Sequence, residues 1–260
     1  MTETLEPWVQ PARPSADVRM RLVCFPHAGG GASFFRDWPR ALAPYGIEVW
    51  PVQLPGRDRR YNEPLPTDLT ALTATLADAV GGRLAELPYA LYGHSVGARF
   101  ACAFAARLAE RGLPAPRHVC VGASRPPTHP DPDTPIHAMT DEALLAKLET
   151  YGGIPRELHT YPELLDRAVA TARADLRVSE IAPWPELPWL DCPVTAVGGR
   201  SDATVPAALL PHWQSVTTAS FDTIVLEGGH FPEFRGMGRL MEVIRRAAHT
   251  TGEGVRQERF

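Results

Sequence analysis

The sequence predicts an α/β fold in which a mostly parallel central sheet is flanked by helices and carries a helical insertion. Three observations support that expectation. Short apolar runs at 18–25, 46–52, 88–92, 117–123, 192–199 and 220–226 alternate with helical stretches, and runs that stay apolar suit strands buried inside a parallel sheet. Gly93-His94-Ser95-Val96-Gly97 follows one of these runs and opens an alanine-rich stretch, 98–108, free of proline and glycine, so it marks a strand-to-helix corner. From about 126 to 190 the alternation stops, and a proline-rich loop leads into two apolar-faced helices. At 260 residues the chain can bury a sizeable core. The expected organisation is a single domain with its core at about 17–125 and 191–249, the insertion at about 126–190, a loose lead-in at 1–16 and a flexible tail at 250–260.

In chain order, Pro7, Pro11 and Pro14 break any regular element in the lead-in, which Trp8 is expected to anchor. The 18–25 strand runs into Pro26-His27-Ala28-Gly29-Gly30-Gly31-Ala32, and 33–42 reads as a helical stretch interrupted near Pro39. The 46–52 strand runs into Gln53-Leu54-Pro55-Gly56-Arg57-Asp58-Arg59-Arg60, a proline–glycine turn with three arginines. Between 66 and 80, Leu69, Leu72, Leu76 and Val80 recur at helical spacing, with Gly81 and Gly82 marking the expected end. Inside the insertion, Thr140 is the expected N-cap of a helix with Leu144, Leu145 and Leu148 as its stripe. A second helix is expected from Thr160, with Glu163 completing a capping box and Leu164, Leu165, Ala168, Val169, Ala172 and Leu176 on one face. Such a pair reads either as a lid over a site or as a plain surface hairpin. His129, His137 and His159 lack metal-ligand spacing and are expected to face solvent. A last helix is expected at about 236–248.

Composition narrows the function classes. Lys plus Arg is 26 against 30 Asp plus Glu, a net charge of −4, which lacks the basic excess of a general nucleic-acid binder. No apolar run approaches transmembrane length, and the acidic 1–6 segment lacks the apolar stretch of a signal peptide, so neither membrane insertion nor secretion is expected. Cys24, Cys102, Cys120 and Cys192 are widely spaced without a Cys-x-x-Cys pair; buried reduced thiols in a cytoplasmic protein are the expectation.

A serine with glycines two before and two after it on a strand-to-helix corner is the nucleophile-elbow signature of the α/β-hydrolase fold. The turn leaves no room for a Cβ at either flank and holds the serine strained, with Oγ pointing away from the sheet. An ordinary glycine turn with a helix-capping serine is the simpler alternative. The fold requires the order serine, acid, histidine on loops after later strands, and Ser95, Asp202 and His230 meet it. Asp58 and Asp131 are distant alternatives for the acid. His94 and His27 are weak rivals for the base: the His94 ring should point away from Ser95 Oγ, and His27 should fix the shape of its own loop. The backbone N–H groups of Ala28 and Val96 are the candidate oxyanion donors, with Gly29 in the supporting loop. A phosphate cradle is the alternative for that loop, but the P-loop lysine is missing. In such a site His230 takes the Ser95 proton as Oγ attacks a carbonyl carbon, while Asp202 holds the imidazole tautomer. The chemistry requires no metal and no cofactor.

The residues thus predict a serine acyl hydrolase without naming a substrate. Several stretches together add one: Phe25-Pro26-His27-Ala28-Gly29-Gly30, Gln53-Leu54-Pro55-Gly56-Arg57, Gly93-His94-Ser95-Val96-Gly97-Ala98, Arg173-Ala174-Asp175-Leu176-Arg177 and Glu227-Gly228-Gly229-His230-Phe231. From about residue 8 to 248 the chain resembles the type II thioesterases of polyketide and non-ribosomal peptide synthesis. Val96 departs from the pattern, where the family more often has methionine. The resemblance implies hydrolysis of aberrant or stalled acyl groups from the phosphopantetheine arm of acyl or peptidyl carrier proteins, with the acyl group in an apolar chamber under the lid. A general carboxylesterase and a product-releasing thioesterase are the alternatives on the same fold. Because carrier proteins are generally acidic, Arg57, Arg59, Arg60 and Arg125 become candidate docking residues, and a monomer is expected.

Overall fold

The computed structural model describes residues 7–9, 17–133, 135–187, 189–231 and 238–249. The expected tail, most of the lead-in and the first residues expected for the last helix lie outside them. Six strands form one sheet: β1 (Met20–Phe25), β2 (Ile47–Pro51), β3 (Tyr89–His94), β4 (His118–Gly122), β5 (Val194–Gly199) and β6 (Phe221–Leu226). Their spatial order is β2-β1-β3-β4-β5-β6, and every neighbouring pair is parallel. The inner strands β1, β3 and β5 are buried along their whole length, whereas the edge strand β6 alternates. That is why the inner strands read as unbroken apolar runs.

Alternate side chains divide into two cores. On one face Val23, Leu91 and Val121 pack with α2 (Leu69–Leu84) and α3 (Val96–Glu110). On the other, Leu22, Tyr92 and Cys120 pack with α1 (Trp38–Leu42) and α6 (Gly238–His249). The insertion supplies α4 (Asp141–Tyr151) and α5 (Pro162–Ile181) between β4 and β5. Successive strands leave β1 in opposite directions, β2 to one side and β3 to the other, so a crevice opens at the carboxyl ends of β1 and β3. The glycine loop and Ser95 emerge there. Trp8 is buried, Val9 forms an antiparallel bridge with Val52, and the Trp8 carbonyl accepts the Gln53 N–H at 2.7 Å, which ties this part of the lead-in to the sheet.

Three local expectations are corrected. α2 does not stop at Gly81 and Gly82 but continues to Leu84; Gly81 is a close-approach point where a Cβ would sit 2.7 Å from a Leu113 methyl. Its start is capped by Asp68, whose Oδ1 accepts the Ala71 N–H at 2.7 Å. Pro39 does not interrupt a helix: it lies in the first turn of α1, where no N–H is needed, and the break falls before it. The capping box at Thr160 is not formed. Thr160 Oγ1 donates to the Glu157 carbonyl at 2.7 Å, closing a 3-10 turn, and Pro162 begins α5. At the other helix of the insertion, Thr140 caps α4 as expected, accepting the Ala143 N–H at 3.3 Å.

Candidate active site

Ser95 stands between β3 and α3 at φ 56° and ψ −121°, a left-handed conformation that a non-glycine residue holds only under strain. The flanking glycines are required sterically. A Cβ on Gly93 would collide with the Gly97 carbonyl oxygen, and one on Gly97 with the Phe25 carbonyl oxygen on the neighbouring β1. The corner is pinned to β4 by the Ser95 N–H, which donates to the Gly122 carbonyl at 2.7 Å. Val96 is the first residue of α3, so its N–H has no intrahelical acceptor.

Behind the serine, His230 Nδ1 lies 2.9 Å from Asp202 Oδ2, and both side chains are buried. The other carboxylate oxygen of Asp202 accepts the N–H groups of Thr204 at 2.9 Å and Val205 at 3.0 Å. Burial alone would raise this carboxyl. The hydrogen bond and charge of His230, with the two amides, outweigh burial and hold it below the ordinary aspartate range. A carboxylate can only accept, so Nδ1 carries the proton and the Nε2 lone pair is left for another partner. Asp58 and Asp131 are elsewhere: Asp58 accepts the Ala32 N–H at 3.1 Å, and Asp131 faces Arg125 at 3.6 Å.

Both ring nitrogens of His94 are engaged by groups other than Ser95. Its Nε2 lies 2.9 Å from the His230 carbonyl, which can only accept, and its Nδ1 therefore accepts from the Tyr92 hydroxyl at 3.0 Å. The ring thereby ties β3 to the backbone of the His230 loop. The His27 ring packs edge-on to Phe231 with centroids 4.7 Å apart, and Gly30 lies against it so closely that a Cβ would strike the ring.

Buried neutral histidines give the fold an acid limit. Burial, then the neighbouring charges of His230 and Arg57, lowers His27 from the usual 6.5 to about 4. Burial also takes His94 well below its usual value and His118 to about 4. The unfolded chain binds these protons near 6.5, so between that pH and about 4 it holds more protons than the native state. Stability is therefore expected to fall as pH drops through this window. The urea midpoint, followed from pH 7.5 to 4.5, should show it, and His118→Gln should reduce the slope by up to one proton. A slope that His118→Gln leaves unchanged contradicts the assignment.

The glycine loop is fastened by a pair that the residue pattern did not reveal. Arg57 and Asp175 form a buried bidentate ion pair, Nη1 to Oδ2 at 2.5 Å and Nη2 to Oδ1 at 2.7 Å. Asp175 Oδ2 also accepts the Gly29 N–H at 2.9 Å, and Arg57 Nη1 donates to the Gly30 carbonyl at 3.0 Å. The pair thus joins α5 of the insertion, the 53–60 turn and the loop that carries Ala28. The signal was present in sequence: Asp175 falls on the same helical face as Ala172 and Leu176, where a carboxylate needs a buried partner.

The expected docking role of the arginines is corrected accordingly. Arg57 is buried on Asp175. Arg60 is also buried, lying over the Trp8 ring at 4.0 Å and donating to Glu63 and to the Gln53 carbonyl. Arg125 is half-buried and donates to the Thr204 carbonyl at 3.1 Å. Arg59 alone of the four is exposed. Of the insertion histidines His159 is exposed as expected, whereas His129 and His137 are half-buried, with His137 Nδ1 contacting Glu180 at 2.5 Å.

Two cavities meet at Ser95 and His230. One of about 690 Å³ runs between the glycine loop and the insertion, past Ala28, Phe34, Leu148, Ala172 and Phe231. The other, about 290 Å³, lies on the far side of the serine, lined by Val96, Arg99, Arg125, Glu180 and Trp184. Tyr151 and Leu176 border both. Among the described residues no group of three or more His, Cys, Asp and Glu side chains is placed to hold a metal, and no helix is long and apolar enough to cross a membrane.

Comparison with known proteins bears on this site. A family profile described as a thioesterase domain matches residues 20–248. The solved structure of the RedJ thioesterase from the prodiginine biosynthetic pathway in Streptomyces coelicolor is 37% identical, with a TM-score of 0.80, covering 91% of this chain and 90% of that one. The type II thioesterase BorB from the borrelidin biosynthetic cluster is 31% identical with a TM-score of 0.81, covering 93% and 97%. A protein of Brevibacillus parabrevis named linear gramicidin dehydrogenase LgrE is 36% identical over 227 residues, 86% of each chain. In the present chain the turn after β1 reads His27-Ala28-Gly29-Gly30-Gly31 and lacks the Gly-x-Gly-x-x-Gly spacing of a dinucleotide-binding turn.

Proposed function

This chain belongs to the thioesterase family, and on that premise we propose that it is the editing thioesterase of a non-ribosomal peptide or polyketide assembly line. Its substrates are aberrant or stalled acyl groups carried as thioesters on the phosphopantetheine arm of carrier proteins. The observation that carries this reading is the position of Ser95: it lies at the meeting point of two cavities, with the His230–Asp202 pair behind it. One cavity can hold the acyl group while the other holds the long arm.

Ser95 Oγ attacks the thioester carbonyl as its proton passes to His230 Nε2. Asp202, ionised and held by two amides, stabilises the imidazolium without taking the proton. The negative oxygen is received by the N–H groups of Ala28 and Val96, each donor worth about 3 kcal/mol. The C–S bond then breaks, the thiol leaves with the proton from His230, and a water deprotonated by the same nitrogen releases the acid. We read α4 and α5 as the lid that keeps bulk water from the acyl-enzyme.

The test compares hydrolysis of an acyl-phosphopantetheinyl carrier protein with that of the matched small oxygen ester. Carrier-bound thioester is expected to be cleaved with much the higher kcat/KM. If the ester is preferred, or the carrier protein confers no advantage over a small thioester, the carrier substrate is wrong and a carboxylesterase replaces it.

A further inference from the structure

α3 carries a second polar group facing the site that the hydrolytic steps leave unused. Arg99 stands one turn after Ser95, about 6 Å along the axis at 1.5 Å per residue, and both residues line the 290 Å³ cavity. Arg99 is only 6% exposed. Its Nη2 donates to the Ala182 carbonyl, its guanidinium lies over the Trp184 ring with Cζ 3.8 Å from the centroid, and its buried Nε has no hydrogen-bond partner. The two carboxylates lining the same cavity are engaged elsewhere. Glu180 accepts the N–H groups of Ile136 and His137 and contacts the His137 ring, and Asp131 faces Arg125. Among the described residues Arg99 is therefore a buried side chain with no anion of its own. Burial lowers the guanidinium only to about 10, so it is a cation at neutral pH.

A buried cation without a counterion is costly, and a methionine or leucine at this position would be buried with less penalty. We infer that the 290 Å³ cavity is the acyl chamber and that Arg99 receives the carboxylate at the far end of a short dicarboxylic acyl group. This rests on the thioesterase reading and gives it a substrate class. A guanidinium is a planar fork whose paired N–H groups match the two oxygens of a carboxylate, and here the Nε–H has no acceptor in the protein. Size agrees. At roughly 30 Å³ per non-hydrogen atom, taking the share of a water molecule in the liquid, the cavity holds a succinyl or glutaryl group but not a long fatty chain.

The discriminating substrates are the succinyl and 4-methylpentanoyl thioesters of N-acetylcysteamine, which share length and branching and differ by a carboxylate in place of an isopropyl group. The wild type is expected to favour succinyl in kcat/KM by about tenfold or more, the scale of a charge-assisted hydrogen-bond pair. Arg99→Met should lower that ratio by at least about tenfold, and Arg99→Lys, with the charge but not the fork, should fall between. A wild-type preference for the hydrocarbon overturns the proposal. So does a ratio that Arg99→Met leaves unmoved because both substrates lose equally, since the arginine would then only pack against Trp184 and Ala182. Should neither thioester turn over, calorimetric affinities of Ser95→Ala for the same pair give the ratio instead. Discrimination between the small thioesters without any carrier advantage would remove the carrier reading and keep Arg99; the reverse result would do the opposite.

Discussion

Ser95→Ala is expected to lower kcat for thioester hydrolysis by roughly 10⁴- to 10⁶-fold, measured as release of free thiol. The size of the effect follows from the division of labour at the corner. In the proposed mechanism every proton that the His230–Asp202 pair moves belongs to the formation or hydrolysis of the acyl-enzyme, so once Oγ is gone that route is closed. His230→Ala should cost a similar factor, and the double variant Ser95→Ala/His230→Ala should be no slower than either single one, because the two groups act as a unit. The residual rate above that in water would come from the Ala28 and Val96 donors, which neither change removes. Circular dichroism should match the wild type. A loss below tenfold would place the nucleophile elsewhere, and additive losses would mean that serine and histidine do not act together.

Asp175→Asn is expected to lower the melting temperature by on the order of 10 °C. It leaves the buried Arg57 cation without its counterion, a loss of about 3–5 kcal/mol. Arg57→Met should cost as much from the other side. The informative variant combines Arg57→Met with Asp175→Leu. Replacing a buried ion pair by apolar groups of similar volume is often neutral for stability, so this double variant should recover most of the melting temperature. It should not recover kcat. The Gly29 N–H and Gly30 carbonyl would still lack their partners, and the loop carrying the Ala28 donor would be free to shift. A 10- to 100-fold deficit in kcat, within the roughly 3 kcal/mol of one oxyanion donor, is the expected result. If the double variant regains full kcat, the pair serves stability only.

Much of the fold was legible because its signals are local. The inner strands are apolar on both faces, and Gly93 and Gly97 stand where the packing of β1 and β3 allows no Cβ. The same holds for the candidates Ser95, Asp202 and His230, each one to four residues after a run that reads as a strand. What escaped was long-range. Arg57 and Asp175 are 118 residues apart, and an arginine in a Pro-Gly turn looks solvated until its partner is known. The two cavities escaped for the same reason, since Trp184, Glu180 and Arg99 meet only in three dimensions. The helix signals misread at Gly81 and Thr160 were local, but packing against Leu113 and the proline at 162 overrode them.

The Arg57–Asp175 pair also sets a rule for recombination. One partner lies in the core segment and the other in the insertion, so the two halves cannot be inherited independently. A chimera that receives 126–190 from a relative keeps a properly seated glycine loop only when the donor brings an aspartate to position 175 and the recipient retains arginine at 57. Exchange of α4 alone carries no such condition, because α4 contributes nothing to that pair. Breakpoints between α4 and α5 are therefore the permissive ones, and new specificities on this scaffold are most readily gained by shuffling the first helix of the insertion while the second stays with its core.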